Sequence, residues 1–272
     1  MANLKIGVAL WSFGPHSTLD EFKQKLDLAC EVGAKAVQPW NVDYCDEHKT
    51  PCALDPDRCT ASQRREVARA IESRGLAISG WCAQLVGPGG FGGFGEEAGL
   101  ADRILKTRRA IDFAVELGAP IVTTHVGEIP EDPNHPDYQV YLRSVGEVVR
   151  HAEKIGGVFA METGQESAQC LMRFLGELSS PAARCNYDPA NMLPWGVVEG
   201  VGVLASYIVH AHAKDLNRAT KKATLGQGDV PWKEYIAAME AIGYDGWHAV
   251  EDETGGNVVE SIRTGVNFLN GF

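Results

Sequence analysis

The chain has 272 residues, 44% of them hydrophobic, enough to bury one large core. Its formal net charge of −11 opposes phosphate backbones and anionic membranes, which argues against nucleic-acid and membrane partners. Seven cysteines without a CxxC pair point to reduced thiols rather than a disulfide framework, and no apolar run is long enough to span a membrane.

The N-terminal MANLKIGVAL carries one lysine before an apolar run too short for a signal peptide, so a cytoplasmic protein is expected. Residues 5–11 form the first β-like run, and TLDEFKQKLDLACEVG after it has amphipathic helical spacing that stops at Gly33. Glycine suits that stop because the position past a helix end often needs positive φ. The second run is 35–40. Beyond it Cys45, Cys52 and Cys59 are evenly spaced, a candidate metal site although structural zinc usually takes tighter pairs. The third run, 76–81, leads to GPGGFG at 87–92, a literal G-x-G-x-x-G. A helix follows only near Leu100, so this stretch reads as a loop over the mouth in which Phe91 and Phe94 could close on a ligand. The remaining runs are 120–125, 157–162, 183–188, 206–212 and 246–251, with the weakest helical pattern between 189 and 205.

Gly75, Gly118, Gly156 and Gly243 repeat the role of Gly33, at spacings of about forty residues with the last gap about double. Eight alternations of strand and helix imply parallel strands. They predict an α/β chain folded as a (β/α)8 TIM barrel, a single domain over residues 1–272, with a doubly wound open sheet as the alternative.

Barrel active sites sit at the C-terminal ends of the strands. The runs end in Trp11, Trp40, Trp81, His125, Glu162, Asp188, His212 and Glu251. Three acids and a histidine from consecutive strands would converge there, and unpaired carboxylates would repel and resist desolvation. A divalent cation resolves that conflict. Three carboxylates plus one imidazole favour a hard to borderline ion such as Mn2+, Mg2+ or Co2+ over a thiolate-type zinc site. Within IVHAHAKD at 208–215, His210, His212 and Lys214 share one strand face. His212 reads as the ligand, His210 as a structural residue one pleat deeper, and Lys214 as reaching beyond the mouth towards a substrate. His125, ending the fourth run within THVG, faces the same mouth.

METG around Glu162, NYDPAN around Asp188, VHAHAKD around His212, LGQGDVPW at 225–232 and GWHAVE ending in Glu251 together resemble the sugar phosphate isomerase/epimerase family of xylose isomerase-like TIM barrels. The resemblance runs over essentially the whole chain. It implies one Mn2+-type ion held by Glu162, Asp188, His212 and Glu251 and, as in the ketose 3-epimerases of that family, Glu162 and Glu251 as acid and base. Substrate contacts would come from Asn191, which stands where those epimerases carry histidine, and from Arg218. Gln227 stands where many relatives have Glu. The related endonuclease IV family needs extra metal ligands where this chain has Leu225 and Gln227, which argues against DNA repair. The expected activity is proton transfer next to a sugar carbonyl, through an enediolate that a metal would stabilise. His125 and Arg218 would hold hydroxyls or a phosphate, with Trp11 and Trp40 as apolar walls. A lyase or dehydratase, of the inosose dehydratase or 3-keto-glycoside eliminating type, is the alternative, and a non-catalytic sugar-binding barrel is a third class. The expected partner is a small sugar or sugar derivative, with a homo-oligomer left open.

Overall fold

A computed structural model describes residues 4–42, 50–84 and 92–272. Its parallel strands are β1 (Lys5–Ala9), β2 (Ala36–Gln38), β3 (Ala77–Ile78), β4 (Trp81–Cys82), β5 (Ile121–Thr124), β6 (Val158–Glu162), β7 (Ala183–Tyr187), β8 (Ile208–Ala213) and β9 (Trp247–Val250). The helices between and after them are α1 (Leu19–Glu31), α2 (Ala61–Glu72), α3 (Leu100–Glu116), α4 (Pro136–Ile155), α5 (Ala168–Leu178), α6 (Val197–Leu204), α7 (Trp232–Ala241) and α8 (Val258–Leu269).

The sheet runs β3-β2-β1-β9-β8-β7-β6-β5-β4, and its two ends are neighbours in the chain. β3 and β4 occupy one strand position interrupted at Ser79–Gly80. The first piece pairs with β2 (Ala36 opposite Ala77) and the second with β5 (Trp81 opposite Val122). The isolated bridge between Trp40 and Cys82 continues that closure, so nine strand segments make an eight-position barrel. Gly80 lies at the break because a Cβ there would stand 3.4 Å from the His210 ring and 3.3 Å from the Ile121 carbonyl.

The helices begin and end as their sequences dictate. Thr18 and Thr60 form capping boxes with Glu21 and Gln63, each satisfying two otherwise free amides. Gly33, Gly75, Gly118, Gly156 and Gly243 have φ of 86°, 67°, 72°, 76° and 74°. At all but Gly33 an added Cβ would meet nothing within 4 Å, so backbone conformation, not space, selects glycine.

Two aromatic assignments change. Trp81 is fully buried and crosses Phe113 of α3 edge-to-face at 5.1 Å, so it packs outward under the helix layer instead of lining the mouth. Phe94 is also fully buried, against Phe159 at 6.1 Å, and its main chain bonds Val126 and Ser144. That anchorage makes it core rather than a closing lid; Phe91 lies outside the described residues.

Candidate active site

Four side chains meet at the C-terminal end of the barrel. Glu162 ends β6, Asp188 follows β7, His212 lies near the end of β8 and Glu251 follows β9. All four are buried, and one donor atom from each lies within 4.8 Å of the others. His212 Nδ1 is 3.2 Å from Glu162 Oε1, 3.3 Å from Glu251 Oε2 and 4.0 Å from Asp188 Oδ2.

Asp188 Oδ1 accepts from the amides of Ala190 and Asn191, at 2.8 and 3.1 Å. Its Oδ2 has no hydrogen bond. Glu251 Oε1 accepts from the Trp11 indole N–H at 2.7 Å, and its Oε2 likewise has no hydrogen bond. Two buried carboxylate oxygens turned towards a third acid are costly without a cation. The donor set therefore fits a divalent ion of oxygen preference, held by Glu162, Asp188, His212 and Glu251.

The electrostatics of these groups have the same cause. Burial, only partly offset by Lys214 and reinforced by Glu162 and Glu251, pushes the Asp188 carboxyl up to about 7. Burial opposes charge on His212, but Glu162, Glu251 and Asp188 carry its imidazole up to about 9. Glu162 also pays for burial, yet His125 and His212 beside it hold its carboxyl well below the usual range. A proton on His212 thus supplies positive charge where a cation would sit.

The other expected site residues divide. His125 Nε2 lies 3.3 Å from Glu162 Oε1, and Asn191 Nδ2 donates to the same oxygen at 3.2 Å. Lys214 pairs with Glu253 at 2.6 Å; burial opposes its charge, but Glu251, Asp188 and Glu253 raise its pKa. Trp11 crosses His212 at 5.6 Å and Trp40 at 5.8 Å, so it offers an N–H to Glu251 as well as an apolar wall. Arg218 is exposed, and its guanidinium donates to the Leu193 carbonyl at 3.0 Å; its bonds join two loops of the rim and do not reach the four-residue group.

His210, one pleat deeper, is buried, with Nδ1 2.8 Å from Asn186 Oδ1 and Nε2 3.3 Å from Ser79 Oγ. Cys52 donates to the Trp40 carbonyl at 3.3 Å and lies 3.7 Å from His16 Nε2. Cys45 lies outside the described residues. Among the described residues, the group of three or more potential metal donors is the one at the mouth.

Sequence reasoning missed Gln38, Thr123, Asn186, Glu166 and Asp215, all buried. Gln38 was detectable as an amide two residues before Trp40 in a β-like run, hence on the same inward face. Glu166, whose carboxyl burial pushes up to about 8, follows Glu162 in a polar loop that carries no periodicity.

A family model described as xylose isomerase-like TIM barrel matches residues 26–271. A xylose isomerase domain protein from Planctomyces limnophilus has a similar structure, with 24% identity, TM-score 0.80 and coverage of 98% of this chain and 96% of that one. An L-ribulose 3-epimerase superposes at 16% identity and TM-score 0.78, covering 98% and 93%. A probable 3-DHS dehydratase from Bacillus anthracis does so at 16% and 0.75, covering 98% and 99%. An uncharacterized protein of Methanocaldococcus jannaschii is 25% identical over 172 residues, and the match spans 58% of this chain and 58% of that protein's length.

Proposed function

The chain belongs to the xylose isomerase-like TIM barrel family, and from that premise we propose that it is a divalent-metal-dependent sugar isomerase or epimerase of the ketose 3-epimerase type. The observation that carries this reading is the buried group Glu162, Asp188, His212 and Glu251, with free oxygens on Asp188 and Glu251. Its metal, which we take to be Mn2+ ahead of Mg2+ or Co2+, would supply Lewis-acid stabilisation of negative charge developing on a substrate carbonyl oxygen.

The proton work falls to the chain's own carboxylates. Glu162 or Glu251 removes the proton next to the carbonyl, and the other returns one. Return to the same carbon from the opposite face inverts it; return to the neighbouring carbon isomerises the sugar. Trp11 fixes one oxygen of Glu251 by its N–H, while His125 and Asn191 steady Glu162, so each acid is oriented before substrate arrives. His125, Asn191 and Lys214 are assigned to substrate hydroxyls, with Arg218 at the rim and Trp11 and Trp40 as walls. A small sugar substrate also agrees with the acidic net charge of −11, which disfavours nucleic acid. Among the described residues no helix is long and apolar enough to cross a membrane.

One observation favours a lyase as the second reading. Asn191 occupies the position expected to carry a substrate-binding histidine, and it is engaged with Glu162. Incubation of ketoses, inososes and 3-keto glycosides with enzyme and Mn2+ in D2O separates the two by NMR. An epimerase or isomerase should place deuterium next to the carbonyl with every hydroxyl retained, whereas a lyase should give an unsaturated or diketo product. Glu162→Gln and Glu251→Gln should each stop turnover, because an amide neither takes nor returns that proton. Full turnover in both variants would remove these glutamates from the mechanism.

A further inference from the structure

We infer that Gln38 selects which nitrogen of His212 is free to bind the cation, acting as a positioning residue through a directed chain of hydrogen bonds across the barrel interior. This inference rests on the proposed metal site. Gln38 ends β2 with its side chain inside the barrel, and Gln38, Thr123, Trp81 and His212 are all essentially inaccessible to solvent.

The direction of the chain follows from its last member. The Trp81 main-chain carbonyl can only accept, and the Thr123 hydroxyl stands 3.5 Å from it as donor. The Thr123 oxygen then accepts from Gln38 Nε2 at 2.8 Å. With its amide nitrogen committed there, Gln38 turns Oε1 towards His212 Nε2, at 2.9 Å. A carbonyl oxygen accepts and cannot donate, so Nε2 keeps its hydrogen. The hydrogen that a cation displaces is therefore the one on Nδ1, which then offers its lone pair beside Glu162, Asp188 and Glu251.

The opposite orientation of the amide would place N–H groups against Nε2. It would leave the imidazole hydrogen on Nδ1, among the carboxylates, where the cation has to sit. It would also turn the Thr123 hydroxyl away from the Trp81 carbonyl. Asn186 packs its amide nitrogen 3.3 Å from both ring nitrogens of His212 and so distinguishes neither. The choice between the two nitrogens therefore lies with Gln38.

The experiment is Mn2+ titration of full-length wild-type protein, Gln38→Met, Gln38→Glu and Thr123→Val, with thermal melts as a check of folding. Zn2+-loaded wild-type protein labelled with 15N-histidine reports by NMR which nitrogen is ligated. Gln38→Met removes the acceptor and should weaken Mn2+ binding by about 10–100-fold, the range typical when a ligand's supporting hydrogen bond is removed. Gln38→Glu keeps an acceptor and should bind no more weakly than wild type, a rescue that mere packing of an uncharged side chain would not produce. Thr123→Val frees the amide to rotate and should weaken binding by about tenfold. The NMR should show Nδ1 ligated and Nε2 protonated.

Ligation through Nε2 overturns the inference whatever the variants do, as does Mn2+ affinity in Gln38→Met and Thr123→Val equal to wild type. Equal loss in Gln38→Glu and Gln38→Met overturns it too. Those outcomes leave the metal site standing. Wild-type protein that binds no Mn2+ overturns the metal site itself, and this inference with it.

Discussion

His212 holds a proton up to about 9 and Asp188 up to about 7, each because the acids around it surround a buried position. A cation entering the group displaces these protons, so its affinity should rise with pH. Below about 9 the slope is about tenfold per pH unit from His212, and below about 7 it steepens as Asp188 adds a second proton. Mn2+ titrations at pH 6, 7 and 8 read this directly; a flat profile would contradict proton displacement. The four residues of the group were legible because each is an ionisable side chain at the end of a β-like run, the one place in a barrel where such runs converge. What supports them was less legible. Trp11 reads as a wall in sequence, whereas its N–H to Glu251 depends on the turn at 10–13 that swings it over the mouth.

Asp215 shows how an element is held in place by one side chain. It follows β8 and accepts from the amides of Gly226, Gly228 and Val230 and from the Trp232 indole, at 2.9, 3.0, 3.2 and 2.9 Å. The segment LGQGDVPW is thereby folded around a buried carboxylate. Gly228 is required because a Cβ would stand 2.1 Å from Asp215 Oδ1. Asp215→Ala would strand these donors and should cost about 4 kcal/mol, read by urea unfolding at pH 7. A loss below about 1 kcal/mol would mean that water replaces the carboxylate. The glycines of this segment were visible in sequence, but their partner was not, since Asp215 lies on the opposite strand face from the histidines. The helix stops at Gly33 and its four counterparts were visible for the converse reason: the signal is local, one backbone angle at one residue. The helix between 189 and 205 proved the shortest, α6 beginning only at Val197, because Asp188, Ala190 and Asn191 spend the first residues building the site.

At the scale of the whole molecule, acid should weaken the fold through two buried histidines, His16 and His248. His16 and His248 are each lowered to about 4, chiefly by burial, and both are essentially inaccessible. Such a histidine contributes fully above its unfolded value near 6.5, and the contribution is lost as pH falls towards 4 because the unfolded chain takes the proton first. Each should cost about 2 kcal/mol between pH 7 and pH 5. His248 packs against Tyr235 and Tyr244, so His248→Phe should remove its share of the acid slope in guanidinium unfolding, and an unchanged slope would clear it of that role. The barrel itself was legible from the repeat, but the break between β3 and β4 was not, because a two-residue interruption inside one strand leaves no mark in hydrophobic pattern. That break has a kinetic meaning. β3 and β4 each share two register pairs with their neighbours, while β8, at the middle of the strand order, lies farthest from both ends of the sheet. Amide hydrogen exchange should therefore start at residues 77–82 by local opening, ahead of β6 to β8, with the ring coming apart at one gate while the half that carries the acids keeps its deuterium out until global unfolding.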